Sequence, residues 1–198
     1  MKTPPIFPRG IPGASAHSAP ATPDLDGDGG AGLLLGWWRR EQDRTGVIPR
    51  RTALDATDFL PLLGAINLID IGSDGRLRIR LYGERSQTAD AKGQLARYID
   101  ELTPQGHRDQ LLADFAEMIA AAEPFGHRVT LTGVAGEQAT YLRQMLPLAD
   151  DAGVFRHILV FLPGSLEPQT HAAVSRLLER WSRTEAAQIG SSAEGRSG

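Results

Sequence analysis

The side chains best suited to chemistry in this sequence are five histidines, His17, His107, His127, His157 and His171, and a row of arginines, Arg76, Arg78 and Arg80. Imidazoles can ligate metal or haem and move protons near neutral pH. None of these histidines falls in a His-x-His or His-Glu-x-x-His spacing, and a zinc site needs three or four converging ligands. His127 and His157 are expected on strands that end near one another, which leaves a haem or metal ligand open beside the plainer reading of hydrogen-bonded histidines. His107 precedes an expected helix near the entrance of any cavity beneath it, where it can cap the helix or touch a ligand. Ser86, His107 and Asp109 supply the atom types of a hydrolytic triad, but no nucleophile-elbow motif surrounds the serine. The paired acids Asp100 with Glu101 and Asp150 with Asp151 suit a helix approach and a turn. No catalytic residue and no metal ligand is therefore assigned, and the chain reads as a non-enzyme.

The arginine row alternates with Leu77, Ile79 and Leu81, so three cations share one side of a strand and form a candidate anion or ligand contact together with Tyr82. An ordinary solvated sheet face is the competing reading. Modules that bind RNA on a sheet interleave stacking aromatics with their cations, and only Tyr82 is near, so nucleic acid is not an expected partner. The 198 residues carry 24 acidic and 21 Lys or Arg side chains, a net charge of -3, which gives no polyanion-binding field. Cysteine is absent, which excludes disulfides, thiolate chemistry and flavin photochemistry of the cysteine-adduct type. No cofactor is assigned; noncovalent flavin has no residue to support it. No apolar run is long enough to span a membrane and prolines interrupt the start, so a cytoplasmic location is expected.

The elements that must position these residues are legible from periodicity. Residues 1–32 hold six prolines and six glycines without an apolar face and read as a flexible arm, with Gly27 to Gly30 as a hinge. Leu34, Trp37 and Trp38 lie at helical spacing in a helix ending near Gly46. Asp55 or Asp58 caps a short helical turn. Residues 65–71 and 76–83 flank Ser73-Asp74-Gly75 as a hairpin. Leu111, Leu112, Phe115, Met118 and Ile119 form the apolar face of a central helix, and strands follow near 126–134, 140–148 and 154–162. These elements fold most economically as an α+β domain, a five-stranded antiparallel sheet with helices on one face and flanking N- and C-terminal helices. Its boundaries are 33–163. An amphipathic helix over 164–188 aligns Val174, Leu177, Leu178 and Trp181, and 189–198 reads as a second flexible tail.

Within this order, "LLGWWRREQD", "IPRRTALDATDFLPLLGAINLIDI", "RLRIRLYG", "YIDEL" and "QMLPLADDAGVFRHILVFLP" together resemble the PAS family, specifically the single-domain PAS proteins common in alphaproteobacteria. Trp37 and Trp38, Pro49 with Arg51, Arg80 with Tyr82 and Gly83, and Pro147 with Leu148 occupy the matching positions. The stretch "YGERSQTADAKGQL" departs from the family's pattern, where helices that line a cavity are expected. The resemblance implies a sensory or interaction module that acts through a partner. The leading expectation is a non-enzymatic signalling or regulatory adaptor that acts through protein–protein interaction and is open to adjustment by a small molecule in its core, with a homodimer or a regulatory protein held by Trp37, Trp38, Val174, Leu177, Leu178 and Trp181. The alternatives are an autonomous small-molecule sensor with its ligand in the core, and a structural dimerisation module.

Overall fold

A computed structural model describes residues 11, 13–21, 29–85 and 95–194 of the chain. Ser86, Gly27 and Asp28 of the expected hinge, much of the stretch 1–32 and residues 195–198 lie outside the described residues. The described elements are β1 (Ser15–Pro20), α1 (Gly30–Thr45), β2 (Ile66–Ile71), β3 (Leu77–Leu81), α2 (Gln105–Ala121), β4 (Phe125–Thr132), β5 (Gln138–Ala149), β6 (Phe155–Phe161) and α3 (Pro168–Glu194). The strands form one antiparallel sheet in the order β1-β4-β5-β6-β2-β3. The fold is α+β, an antiparallel sheet flanked by helices.

Three expectations are corrected. The sheet has six strands where five are expected, because part of the stretch read as an arm pairs with β4, from Ser15 opposite Thr132 to Pro20 opposite His127. Small residues at Ala14 and Ala16 turn inward there beside a buried Ile11, a pattern too short and too weakly apolar to stand out in the sequence. The last helix continues to Glu194, beyond the expected stop at residue 188. Finally, the helices occupy both faces of the sheet. Period two along β5 explains this: Leu146 and Leu148 pack with α1, whereas Met145 packs with α2 from the opposite side. Every residue from Arg143 to Ala149 is buried in consequence.

On the first face, Leu34, Leu35, Trp37 and Trp38 of α1 close over Leu146, Leu148, Leu159 and Phe161. The Trp37 ring meets Phe59 edge to face at 6.0 Å, and Trp38 Nε1 donates to the Pro147 carbonyl at 2.7 Å. That bond places the indole's polar atom while the ring stays buried. The helix stops at Gly46, whose φ of 71° is the left-handed conformation favoured by glycine. Asp55 then caps the 3-10 segment Ala56–Ala65 by accepting from the Thr57 backbone N–H. None of the described helices is long and apolar enough to cross a membrane.

Candidate functional site

The second face of the sheet is not filled. Between Ile69 and Ile79 of the β2–β3 hairpin, Ile99 and Leu102 before α2, and Leu111 and Phe115 on α2 lies a cavity of about 950 Å³. Its remaining side is α3, through Val174 and Leu178. The volume is at the upper end of what small-molecule sites occupy, and the walls have the expected character, mostly apolar with a few polar groups.

Those polar groups come from two elements with alternating faces. Along β5, Ala139, Tyr141, Arg143 and Met145 point to the α2 side, so an arginine stands in an otherwise apolar row. Along α2, Asp114 stands on the same side as Leu111, Phe115 and Met118 and is nearly inaccessible. Arg143 Nη2 donates to Asp114 Oδ2, a salt bridge with both side chains buried. Two further donors complete the carboxylate: Ser18 Oγ of β1 at 2.6 Å and Gln110 Nε2 at 2.9 Å. Burying such a pair costs solvation that further hydrogen bonds help to offset, and Asp114 has them in Ser18 and Gln110. The other end of the pair is incomplete. Arg143 Nε and Nη1 have no hydrogen-bond partner among the described residues.

His107 lies beside this pair in the first turn of α2, only 6% exposed, with Nε2 at 2.9 Å from the Tyr141 hydroxyl. Burial, reinforced by the Arg143 charge and opposed by Asp114, pushes its pKa down to about 3, so the imidazole is neutral at physiological pH. Its Nδ1 also lacks a partner among the described residues. Burial raises the Tyr141 phenol, which stays protonated. Tyr82 lines the same cavity, gives its hydroxyl to the Ala96 carbonyl at 3.0 Å, and is likewise pushed up by burial.

The expected arginine site lies elsewhere. Because Leu77 and Ile79 turn inward, Arg76, Arg78 and Arg80 turn out, and none of them lines the cavity. Arg76 forks onto Asp100 at 2.9 and 2.8 Å and lies 3.7 Å over the Tyr98 ring, while Arg80 pairs with Asp70 at 3.1 Å. His127 and His157 do not converge. His127 faces α2 opposite Arg143 in the β4–β5 register, whereas His157 points to the other face and binds Asp70 at 2.7 Å. Among the described residues, no three His, Asp or Glu side chains gather to hold a metal.

The expected interaction residues also move inward. Trp37, Trp38, Leu177 and Trp181 are each 7% exposed or less, spent on the chain's own core. The stripe of α3 that was expected to meet a partner packs on Val129, Leu131 and Ala139 through Leu177 and Trp181. Val174 and Leu178 sit one step round the helix, at the cavity. Two contacts fix α3 over α2. Glu185 accepts from the Gln105 backbone N–H at 3.1 and 3.0 Å, supplying the cap that α2 lacks locally, and Trp181 lies against Gly106, where a Cβ would stand 2.8 Å from the ring.

Sequence reasoning missed Asp114, Arg143, Tyr141 and Ser18. A signal existed for the first two, a charge interrupting an apolar stripe of period 3.6 and another interrupting one of period two.

No known family model matches the chain, and no curated protein does. Among solved structures it is similar to an RNA-binding light-oxygen-voltage receptor at 16% identity, covering 83% of this chain and 42% of that one, with a TM-score of 0.35. The chain thus spans less than half the length of that receptor. It is also similar to the light-oxygen-voltage protein of Rhodobacter sphaeroides at 14% identity, over 73% of this chain and 100% of that one, with a TM-score of 0.35. The photo-excited blue-light photoreceptor Vivid is 14% identical over 65% of this chain and 92% of its own, with a TM-score of 0.33. The properties named for those proteins are theirs.

Proposed function

We propose that this chain is a non-enzymatic PAS-like sensory module of the single-domain alphaproteobacterial kind, with a small molecule held between the sheet, α2 and α3. The observation that carries this reading is the cavity of about 950 Å³ with apolar walls and a buried polar end. It favours a ligand in the core, and with it the small-molecule sensor over an adaptor that works by protein contact alone, because a tightly packed core would have left no room for a ligand. Signal leaves through α3. That helix forms one wall of the cavity and is held to the start of α2 by Glu185 and Trp181; Glu185 and its partner Gln105 also line the cavity, so occupancy and helix position share that contact. A regulatory protein or a second copy of the chain would receive the change.

Native mass spectrometry of freshly purified full-length protein tests the reading, followed by denaturing release of any bound species. A discrete excess mass is expected, and it should be lost in Leu111→Trp, which fills the cavity from α2. An apo mass, together with no change in the α3 amide signals when a compound library is screened by NMR, would return the chain to the adaptor reading.

A further inference from the structure

Resting on the proposal that the cavity holds a small molecule, we infer that its occupant is a neutral, largely apolar compound bearing a carbonyl-type acceptor that meets Arg143. The inference begins with charge. Arg143 and Asp114 are each almost wholly buried and cancel one another, and the neighbouring His107 and Tyr141 carry no charge at physiological pH. A carboxylate or phosphate brought to this wall would leave one net negative charge in a desolvated place, the arrangement that buried ion pairs exist to avoid. The other ionisable lining groups do not supply the missing cation. Arg85, Arg183 and Glu179 are exposed and solvent-screened, His171 in the first turn of α3 is part-exposed to solvent, Glu185 is engaged with Gln105, and Arg108 with Asp109 at 3.4 Å.

Donors, by contrast, are in excess. Arg143 keeps Nε and Nη1 without a partner, and the Tyr141–His107 pair shares one proton between two atoms and leaves Nδ1 of the imidazole unengaged. A buried guanidinium N–H without an acceptor is costly, and a neutral oxygen satisfies it through a charge-assisted bond without adding charge. Ile69, Ile79, Leu111, Phe115, Val160 and Leu178 line the remainder and require an apolar body.

A matched probe set separates this from the alternatives: acetylnaphthalene, ethylnaphthalene and naphthoate share a ring and differ only in a ketone, an alkyl group or a carboxylate. Each is titrated into the full-length protein with the Arg143 Nε–H resonance followed by NMR. The ketone should bind about tenfold tighter than the hydrocarbon, shift that resonance, and outrank the carboxylate. In Asp114→Leu/Arg143→Met, which removes the donors and leaves no lone charge, the ketone's advantage should vanish. If that variant does not fold, the wild-type ranking decides. A carboxylate that binds tightest overturns the neutral-acceptor inference while keeping the cavity reading, and so does equal binding of ketone and hydrocarbon. Failure of all three probes, with no compound released from purified protein, overturns both. Any molecule that is released bears directly on the inference: a neutral carbonyl compound supports it and an anion overturns it.

Discussion

One sheet in this protein has two differently used faces. Against α1, the residues Leu146, Leu148, Leu159 and Phe161 pack in one buried cluster with two tryptophans and a phenylalanine, and Trp38 is tied to the backbone of β5. Against α2 and α3, residues one position along the same strands face a cavity of about 950 Å³ and a buried ion pair. The strands are shared, so the backbone of the sheet does not account for the difference, and alternate residues account for it only in part. The rest comes from what is laid over them: α1 offers a continuous apolar stripe, whereas α2 carries Asp114 within its stripe and needs α3 to complete both its N-terminal cap and its cover. Stability is thus expected to reside mostly on the α1 face, and ligand response on the other.

The most severe test of that division is to unpair the buried ions. Asp114→Ala leaves the Arg143 charge without its carboxylate and should cost about 3–5 kcal/mol in denaturant unfolding, whereas Asp114→Leu/Arg143→Met should cost far less. Equal losses in both would mean that the pair holds the α2 face together and that the stability contrast between faces is wrong. Paired leucine truncations measure the contrast itself. Leu159→Ala, in the closed face, should cost about 4 kcal/mol, and Leu111→Ala, beside a space that is already open, about 2 kcal/mol. The order reverses if the cavity is closed in solution.

These two faces were not equally legible in the sequence. Leu34, Trp37 and Trp38 at helical spacing announced an amphipathic α1, and the alternation of 76–81 announced β3, because burial on one side enforces a period that single residues reveal. The direction in which the tryptophans face could not be read, since an apolar stripe looks alike whether it covers a sheet or a partner. β1 was hidden for a different reason. An edge strand held by backbone pairing and by Ser18 on Asp114 needs few large apolar residues, so "SAHSAP" resembles a linker. The cavity itself is a property of distances among α2, α3 and the hairpin, which no local pattern encodes. Arg143 and Asp114 were visible as exceptions to their periods and could have been paired on that ground.

A smaller effect separates the faces by pH. The His107 imidazole has its folded pKa pushed down to about 3, below the ordinary value of 6.5, so at intermediate pH the unfolded chain binds a proton that the folded chain refuses. Its contribution is fully present above the ordinary value and is lost as pH falls toward 3. Unfolding free energy should drop by about 2 kcal/mol between pH 7 and pH 5 from this residue. His127, also lowered mainly by burial, adds in the same direction. In His107→Gln the drop should shrink, while truncations beneath α1 leave the slope unchanged. An unaltered slope in the variant would place the titration elsewhere.

The finest discrimination concerns α3 alone. Gly106 is open to substitution in its helical backbone but not in space, because an alanine Cβ would stand 2.8 Å from Trp181 Cζ2. Overpacking of this kind costs roughly 1–2 kcal/mol, and here the ring can give way only by lifting the helix that carries it. Hydrogen exchange should therefore quicken across residues 174–185 and at Gln105, whose N–H bonds to Glu185, while α1 and the amides of β6 keep their protection. Ligand that seats α3 should restore the protection, which ties the effect to the cavity and not to general loosening. Faster exchange on both faces would show that the sheet transmits the strain and that the two faces form one cooperative unit. Unchanged exchange in α3 would show that Trp181 re-packs in place, leaving Glu185 as the contact that holds the helix.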